Sequence, residues 1–103
     1  MTPRIIIGFD PGVADTGYGV IKDEGGTLTC VDYGSIRTPA KTPLPERLET
    51  IYAAVTSLLK KHKPALVSIE QLFFSKNVTT AMAVGQARGV VLLAAAQAKR
   101  PLV

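Results

Sequence analysis

Residues 5 to 20, I-I-I-G-F-D-P-G-V-A-D-T-G-Y-G-V, decide the fold that this sequence predicts. The three consecutive isoleucines at 5 to 7 are β-branched, which is typical of a strand covered on both faces. Pro11 and the glycine after it end that strand, and residues 17 to 21 alternate small and large side chains as a returning strand does. Asp10 therefore lies at the end of a buried strand, just before the bend of a hairpin. On this stretch alone, an ordinary turn aspartate and a carboxylate delivered to a site are equally good interpretations.

A second short apolar run, L-V-S-I-E at residues 66 to 70, also ends in a carboxylate, that of Glu70. It follows a stretch with helical periodicity. A strand, a crossover helix and a second parallel strand would place Asp10 and Glu70 at the same end of the sheet. Two acids at adjacent strand ends repel each other unless a cation lies between them. Mg²⁺ and Mn²⁺ prefer oxygen ligands, so the sequence predicts a divalent-metal site here.

The elements before this second run are predicted from turn signals and periodicity. Strands at about residues 4 to 9, 17 to 23 and 27 to 36 are joined by short turns into an antiparallel meander. Three prolines between residues 38 and 45 exclude a further strand, and Pro43 marks the predicted start of a helix. The apolar stripe of this helix, which is predicted to cover one face of the sheet, consists of Leu48, Ile51, Tyr52, Val55, Leu58 and Leu59.

A fourth strand at about residues 65 to 69 is predicted to lead into a second helix, from about Thr80 to Lys99. The second half of this helix is nearly apolar all round, so we expect it to be buried on more than one side. Gly85 and Gly89 stand one turn apart and leave a smooth patch, which suits either close packing on the sheet or a helix-to-helix contact in a dimer. Residues 101 to 103 have the composition of a fifth strand that begins there.

A length of 103 residues, 47% of them hydrophobic, predicts one domain with a modest core. The longest apolar run, residues 90 to 96, is too short to span a bilayer, and the N-terminus lacks the regions of a secretion signal. We therefore expect a cytoplasmic protein with no membrane partner. Cys30 is the only cysteine, and a buried thiol on a strand is its expected role. For His62 we expect a solvated side chain near a helix end rather than a metal ligand.

The net charge of +4 is unevenly distributed along the chain. Residues 1 to 59 carry five Lys or Arg and seven acids, a net of −2, whereas residues 60 to 103 carry seven bases and one acid, Glu70, a net of +6. The basic half favours a polyanion near the predicted metal site. For the lysines at 60, 61 and 63, the solvated C-terminal end of a helix is an equally good interpretation.

Three antiparallel strands followed by helix, strand, helix and strand, with acids ending the first and fourth strands, resemble the opening of the RNase H-like fold, a mixed α/β architecture. Two motifs narrow the resemblance to the RuvC-type Holliday junction resolvases: G-F-D-P-G-V-A-D-T-G-Y-G-V at residues 8 to 20, and E-Q-L-F-F-S-K-N-V-T-T-A-M-A-V-G-Q-A-R-G at residues 70 to 89. The similarity runs through essentially the whole sequence. The Asp-x-Gly within the first motif occurs in many folds, whereas the second motif is highly specific.

The resemblance implies a structure-selective endonuclease that resolves four-way DNA junctions in recombination and repair by metal-dependent phosphodiester hydrolysis. It implies that Asp10 and Glu70 are catalytic carboxylates and ligands of Mg²⁺, with Mn²⁺ as a substitute. It also implies a homodimer, branched DNA as the binding partner, and a link to the branch-migration machinery of the recombination pathway.

The resemblance assigns Phe73 to stacking on a base at the junction centre. An exposed aromatic ring beside a lysine suits base stacking combined with a phosphate contact, and we expect one of Phe73 and Phe74 to pack inward. The other residues predicted to face the DNA are Lys76, Asn77, Gln86 and Arg88. For Arg88, an ordinary surface position on a helix is an equally good interpretation.

One departure from the family is large, because its members complete the site with two further acids on a later helix and nothing in this sequence corresponds to them. We therefore expect residues 1 to 103 to be a single RNase H-like nuclease domain that lacks its C-terminal strand and helix part and does not cleave DNA at a useful rate alone. A non-catalytic chain that binds branched DNA or pairs with itself is one alternative. Actin-like ATPases and sugar kinases are a weaker one, since they usually place phosphate-binding hydroxyls where this chain has Val13 and Ala14.

Overall fold

The computed structural model describes residues 2 to 70 and 78 to 102. The elements are β1 (Arg4–Asp10), β2 (Asp15–Glu24), β3 (Thr27–Arg37), α1 (Leu44–His62), β4 (Leu66–Ile69) and α2 (Val78–Gln97). The strand order in the sheet is β3-β2-β1-β4, with β1 antiparallel to β2 and parallel to β4. This arrangement confirms the predicted meander and the crossover through α1.

The turn between β2 and β3 explains how the meander reverses so tightly. Gly25 and Gly26 both have positive φ, 62° and 89°, a conformation that glycine adopts without steric cost and that two-residue hairpins require. The Gly26 N–H donates to Asp23 Oδ1 over 3.1 Å. Within β2, before this turn, the pairing with β3 has a register shift between Val20 and Ile21.

Helix α1 begins directly after the proline-rich loop and ends at a left-handed residue. Lys63, with φ of 46°, donates its N–H to the Leu59 carbonyl over 2.9 Å, which satisfies one of the carbonyls left free at a helix C-terminus. The predicted apolar stripe is confirmed. Its buried members are Ile51, Val55 and Leu59, and its half-buried members that pack against the core are Leu48, Tyr52 and Leu58.

The core lies between the two helices and one face of the sheet. In β1 the residues turned to the helices are Ile7 and Phe9, and in β4 they are Val67 and Ile69, all of them buried. Because side chains alternate along a strand, the residues between and after them face the opposite side of the sheet. Asp10 therefore lies on the sheet face that the helices leave uncovered.

Helix α2 contributes Ala87, Val91, Ala94 and Ala95 to the core. The expectation that its second half is buried on more than one side is wrong, because Leu93 is 52% exposed in the described chain. A helix that is apolar all round has no periodicity from which the buried face can be read, and only α1 and the sheet decide it. Close packing of Gly89 on the sheet is also wrong, since a Cβ built there would have no described atom within 4 Å.

Where a fifth strand is predicted to begin, the structure has a single isolated bridge at the free edge of β4 and not a strand. The Val67 N–H donates to the Pro101 carbonyl over 2.8 Å, and Leu102 forms a parallel bridge with Val67. In the described part of the chain the sheet therefore has four strands, with β4 at its edge.

Two side-chain expectations are wrong. Cys30 is exposed, because β3 is the edge strand and its first five residues lie outside the cover of the helices. His62 is not solvated, since its side chain is only 10% exposed and its Nε2 lies 3.3 Å from Asp32 Oδ2. The end of α1 thus packs on β3. Among the described residues, no helix is long and apolar enough to cross a membrane.

Adjacent leucines of α1 provide a matched test of this packing. Leu59 is 1% exposed and Leu58 is half-buried, so Leu59→Ala should lower the free energy of unfolding by about 2 to 5 kcal/mol and Leu58→Ala by clearly less. Urea unfolding of both variants measures the difference. Equal losses would show that α1 does not present the Leu59 face to the sheet.

Candidate active site

The parallel pairing of β1 with β4 brings the two predicted site acids together. Phe9 lies opposite Ile69 in the register, and the Glu70 N–H donates to the Phe9 carbonyl over 3.1 Å. Asp10 is the last residue of β1, and Glu70 directly follows β4. Both therefore lie at the carboxyl-terminal end of these two parallel strands. The predicted convergence of the two carboxylates is confirmed as geometry.

An open groove of about 430 Å³ borders the two acids on the sheet face opposite the helices. Asp10 and Glu70 are both exposed, and the groove floor includes Gly8 and Gly19. A Cβ built at either glycine would meet no described atom within 4 Å, so the absence of side chains keeps this floor low. The low backbone at these two glycines permits the close approach of a large ligand to the carboxylates.

The two carboxyl groups interact directly. A hydrogen bond to Asp10 raises the pKa of Glu70 above its ordinary 4.5, with repulsion from the Asp10 charge as the second cause and burial as the third. A proton shared in this way compensates for like charges held close together. A cation between the acids would relieve the same repulsion, so the pair suits cation binding.

The loop after Asp10 is held by its own hydrogen bonds. The Thr16 hydroxyl donates to the Gly12 carbonyl over 2.6 Å, and the Gly12 N–H donates back to Thr16 Oγ1 over 3.3 Å. A Cβ at Gly12 would lie 2.5 Å from the Asp15 carbonyl oxygen, so this close approach of backbone requires glycine. Thr16 is fully buried, which makes its hydroxyl a fixed part of the turn.

A second set of contacts ties the same loop to α1. The Thr38 hydroxyl donates to the Val13 carbonyl over 2.6 Å, and the Thr38 N–H donates to the Ala14 carbonyl over 3.1 Å. Arg47, in the first turn of α1, donates from Nε to Thr38 Oγ1 over 2.8 Å. These contacts of Thr38 with Val13 and Arg47, a clamp on the loop, cannot be predicted from the sequence. The partners are far apart in sequence, and a threonine at the start of a proline-rich loop carries no local signal of burial.

The donor set at the site is limited to oxygen. Within residues 2 to 70 and 78 to 102, no group of three or more His, Cys, Asp or Glu side chains could hold a metal ion together. The Asp10 and Glu70 carboxylates nevertheless fit Mg²⁺, because Mg²⁺ sites typically use one or two carboxylates and leave the remaining positions to water and phosphate. The exposed side of the pair leaves room for those ligands.

The other predicted site residues have different positions. Arg88 in α2 donates from Nε to the Glu70 carbonyl over 3.4 Å, so its guanidinium lies beside the acid's backbone. Gln86 is exposed on the same helix. Phe73, Lys76 and Asn77 lie outside the described residues.

Of the two interpretations of the lysines at 60, 61 and 63, the structure supports the solvated C-terminal end of a helix. Lys60 and Lys61 lie in the last turn of α1 and Lys63 directly after it, before β4 begins, whereas the acids lie where β4 ends. The four steps from Leu66 to Glu70 span about 13 Å at the rise of a strand. These lysines are therefore at the opposite end of the sheet, a position that only the strand direction determines.

Comparisons with known proteins agree with this arrangement. The family described as "Crossover junction endodeoxyribonuclease RuvC" matches residues 6 to 103. The chain belongs to the RuvC family. The RuvC of Desulfitobacterium hafniense is 53% identical over 98 residues, covering 95% of this chain and 59% of that protein. The RuvC of Rubrobacter xylanophilus is 50% identical over 97 residues, covering 94% of this chain and 54% of that protein.

A solved RuvC structure shows the same fold. T. thermophilus RuvC in complex with a Holliday junction substrate matches with a TM-score of 0.89 and 32% identity, over 95% of this chain and 63% of that chain. The RNase H-like fold expected from the sequence is thereby confirmed. The chain spans somewhat more than half the length of the RuvC proteins it matches.

The contact between Glu70 and Asp10 predicts a pH-dependent stability. Because the pKa of Glu70 is raised in the folded protein, its contribution to stability is present below about pH 4.5 and is lost as pH rises through the folded-state pKa. Glu70→Gln should therefore raise the melting temperature at pH 7 in metal-free buffer, and this gain should disappear towards pH 4. Glu49→Gln, which removes an exposed acid of α1, serves as the control. A gain for Glu70→Gln that does not change with pH would contradict the direct contact.

Proposed function

We propose that this RuvC-family chain carries the cation-binding carboxylates of an endonuclease that resolves four-way DNA junctions. The observation that carries the proposal is the juxtaposition of Asp10 and Glu70 beside an open groove with a glycine floor. The match to a RuvC structure that contains a Holliday junction substrate supports branched DNA as the substrate.

In this proposal, Asp10 and Glu70 bind Mg²⁺, and Mn²⁺ can replace it. A bound divalent cation would polarise a phosphate oxygen and would lower the pKa of the water molecule bound to it. The chain's own contribution is to fix the carboxylates in place. The hydrogen bonds of Thr16 hold the loop after Asp10, and the Arg88 guanidinium lies against the Glu70 backbone.

The proposed DNA contacts follow the RuvC motif. Phe73 stacks on a base at the junction centre, and the polar residues that contact the DNA alongside it are Lys76, Asn77, Gln86 and Arg88. We further propose that the protein acts as a homodimer in the cytoplasm, because a four-way junction presents two symmetry-related strands, and that branch-migration proteins work on the same DNA.

A hybrid protein tests the catalytic role of residues 1 to 103 directly. This segment replaces the matching 59% of Desulfitobacterium hafniense RuvC, and cleavage of a synthetic four-way junction is measured in Mg²⁺ and in Mn²⁺. We expect the hybrid to cleave and its Asp10→Asn variant to lose activity by at least about 100-fold, an effect of the size of losing a charge-stabilising catalytic group. Asp15→Asn, five positions along the same hairpin, should retain activity.

The outcome that contradicts the proposal is equal cleavage by the Asp10→Asn and Asp15→Asn hybrids. The 103-residue chain alone should not nick the junction, since two divalent ions would carry four positive charges against the two carboxylates of the site. Nicking by the chain alone that Asp10→Asn abolishes would show that two carboxylates suffice.

Junction recognition is tested by comparing two adjacent aromatic residues. Phe73→Ala should weaken junction binding by about 1 to 3 kcal/mol, the contribution of one stacked base, and weaken duplex binding much less. Phe74→Ala is the matched control and should affect both DNAs alike. Fluorescence anisotropy at several salt concentrations measures these affinities, and binding should fall as salt rises because phosphate contacts release counterions. An equal loss on junction and duplex for Phe73→Ala would argue against stacking.

A further inference from the structure

A second concave site lies between α1 and α2 at the end of the domain away from Asp10 and Glu70. Its volume is about 360 Å³, and its apolar floor is formed by Tyr52, Leu59 and Ala94. Ligand pockets in proteins range from about 300 to 1,000 Å³, so this one is at the lower limit. A pocket of this size takes one or two side chains rather than an extended chain.

Three cations surround this floor. Lys60 and Lys63 come from the end of α1, and Arg100 comes from the segment after α2. None of the described residues that line the pocket is acidic. Arg100 is held in place by a bond from its Nη1 to the Pro64 carbonyl over 3.3 Å. The pocket therefore combines an apolar floor with a positively charged rim.

Cations at a helix C-terminus also complement the helix dipole, and this would be a sufficient explanation for the two lysines alone. This explanation does not extend to Arg100, which lies after α2 and reaches the same rim. An apolar floor between three cations suits an apolar side chain flanked by carboxylates, since carboxylates at the rim would pair with cations that have no acidic neighbour among the described lining residues.

We propose that this pocket binds an acidic segment of a partner protein, with one apolar side chain on the floor and flanking carboxylates at Lys60, Lys63 and Arg100. Charge complementarity carries the choice of occupant. Single-stranded nucleic acid would need a row of exposed aromatic rings along a continuous basic groove, whereas this pocket is small and its one aromatic residue, Tyr52, is part of the floor. A metal ion is excluded at this rim by its three positive charges.

The position of the pocket gives the proposal a consequence for the whole domain. Lys60 and Lys63 flank the point where α1 ends, and the acids lie at the far end of β4. Arg88 lies nine residues before the end of α2 at Gln97, which corresponds to about 14 Å along the helix, and Arg100 comes after that end. A partner bound at the pocket would thus leave the groove beside Asp10 free, so the partner and DNA could be held together.

Binding of defined peptides to the 103-residue chain tests the proposal. The probe is a fluorescein-labelled peptide Asp-Asp-Phe-Asp-Asp, and two controls remove either the charge, as Asn-Asn-Phe-Asn-Asn, or the anchor, as Asp-Asp-Ala-Asp-Asp. We expect the probe to bind with a Kd below about 1 mM and both controls to bind more weakly. Backbone amide NMR shifts should change around Thr56, Leu59 and Ala98. No binding of the probe at 1 mM would overturn the proposal.

Neighbouring lysines supply the matched variants. Lys60→Gln removes a rim charge and should weaken probe binding about two- to fivefold, the range of one exposed ion pair. Lys61→Gln removes the adjacent charge of α1, which does not line the pocket, and should leave binding unchanged. Lys63→Asn removes a second rim charge and should act like Lys60→Gln. Asparagine is chosen because Lys63 has a left-handed backbone conformation, which asparagine tolerates.

Three results would contradict the proposal. Equal effects of Lys60→Gln and Lys61→Gln would mean general attraction to a basic surface. Displacement of the peptide by a poly-dT oligonucleotide at comparable concentration, lost in Lys60→Gln but not in Lys61→Gln, would identify nucleic acid as the occupant. Equal affinity for the Phe and Ala peptides would show that no side chain enters the pocket.

Discussion

The parallel pairing of β1 with β4 is the constraint on which the rest of the structure depends. Phe9 and Ile69 both face the helices and lie opposite one another, so the next residue in each chain turns to the open face at the same level. A slip of one residue would turn one acid towards the helix layer. The crossover helix α1 and the apolar residues of both strands fix this register, and Asp10 and Glu70 are brought together as its consequence.

The close approach of the Asp10 and Glu70 carboxyl groups is electrostatically unfavourable, and the surrounding fold offsets this cost. The two exposed carboxyl groups are neighbours, and the pKa of Glu70 is raised first by a hydrogen bond to Asp10 and second by repulsion from the Asp10 charge. The surrounding backbone is correspondingly well fixed, with Thr16 bonded inside the loop after Asp10 and Thr38 bonding that loop to the start of α1. A site that is unfavourable by itself and rigidly supported is typical of a functional centre.

The fold also separates opposite charges along the sheet. The acids lie where β1 and β4 end, and the lysines of α1 lie where β4 begins, because a crossover helix runs antiparallel to the strands it connects. The excess of positive charge between residues 60 and 103 is therefore divided between the two ends of the domain. Three of its seven bases, Lys60, Lys63 and Arg100, line an apolar pocket and not the candidate active site.

The sequence by itself determined the elements, the order in which they follow and which two acids meet at the end of the sheet. Each of these has a local signal: β-branched runs for strands, an i, i+3, i+4 stripe for α1, glycines for the hairpin turn, and an acid at the end of each of two apolar runs. The two motifs, at residues 8 to 20 and 70 to 89, are long enough to indicate the RuvC family from the sequence alone.

Only the tertiary structure decided which distant groups meet. The clamp of Arg47 on Thr38, the contact of His62 with Asp32 and the exposure of Cys30 all depend on how α1 lies on the edge of the sheet. The buried face of α2 was equally undetermined, since an evenly apolar helix has no preferred side until its neighbours are in place. Periodicity reports burial within one element, whereas these contacts result from packing between elements that the chain brings together from far apart.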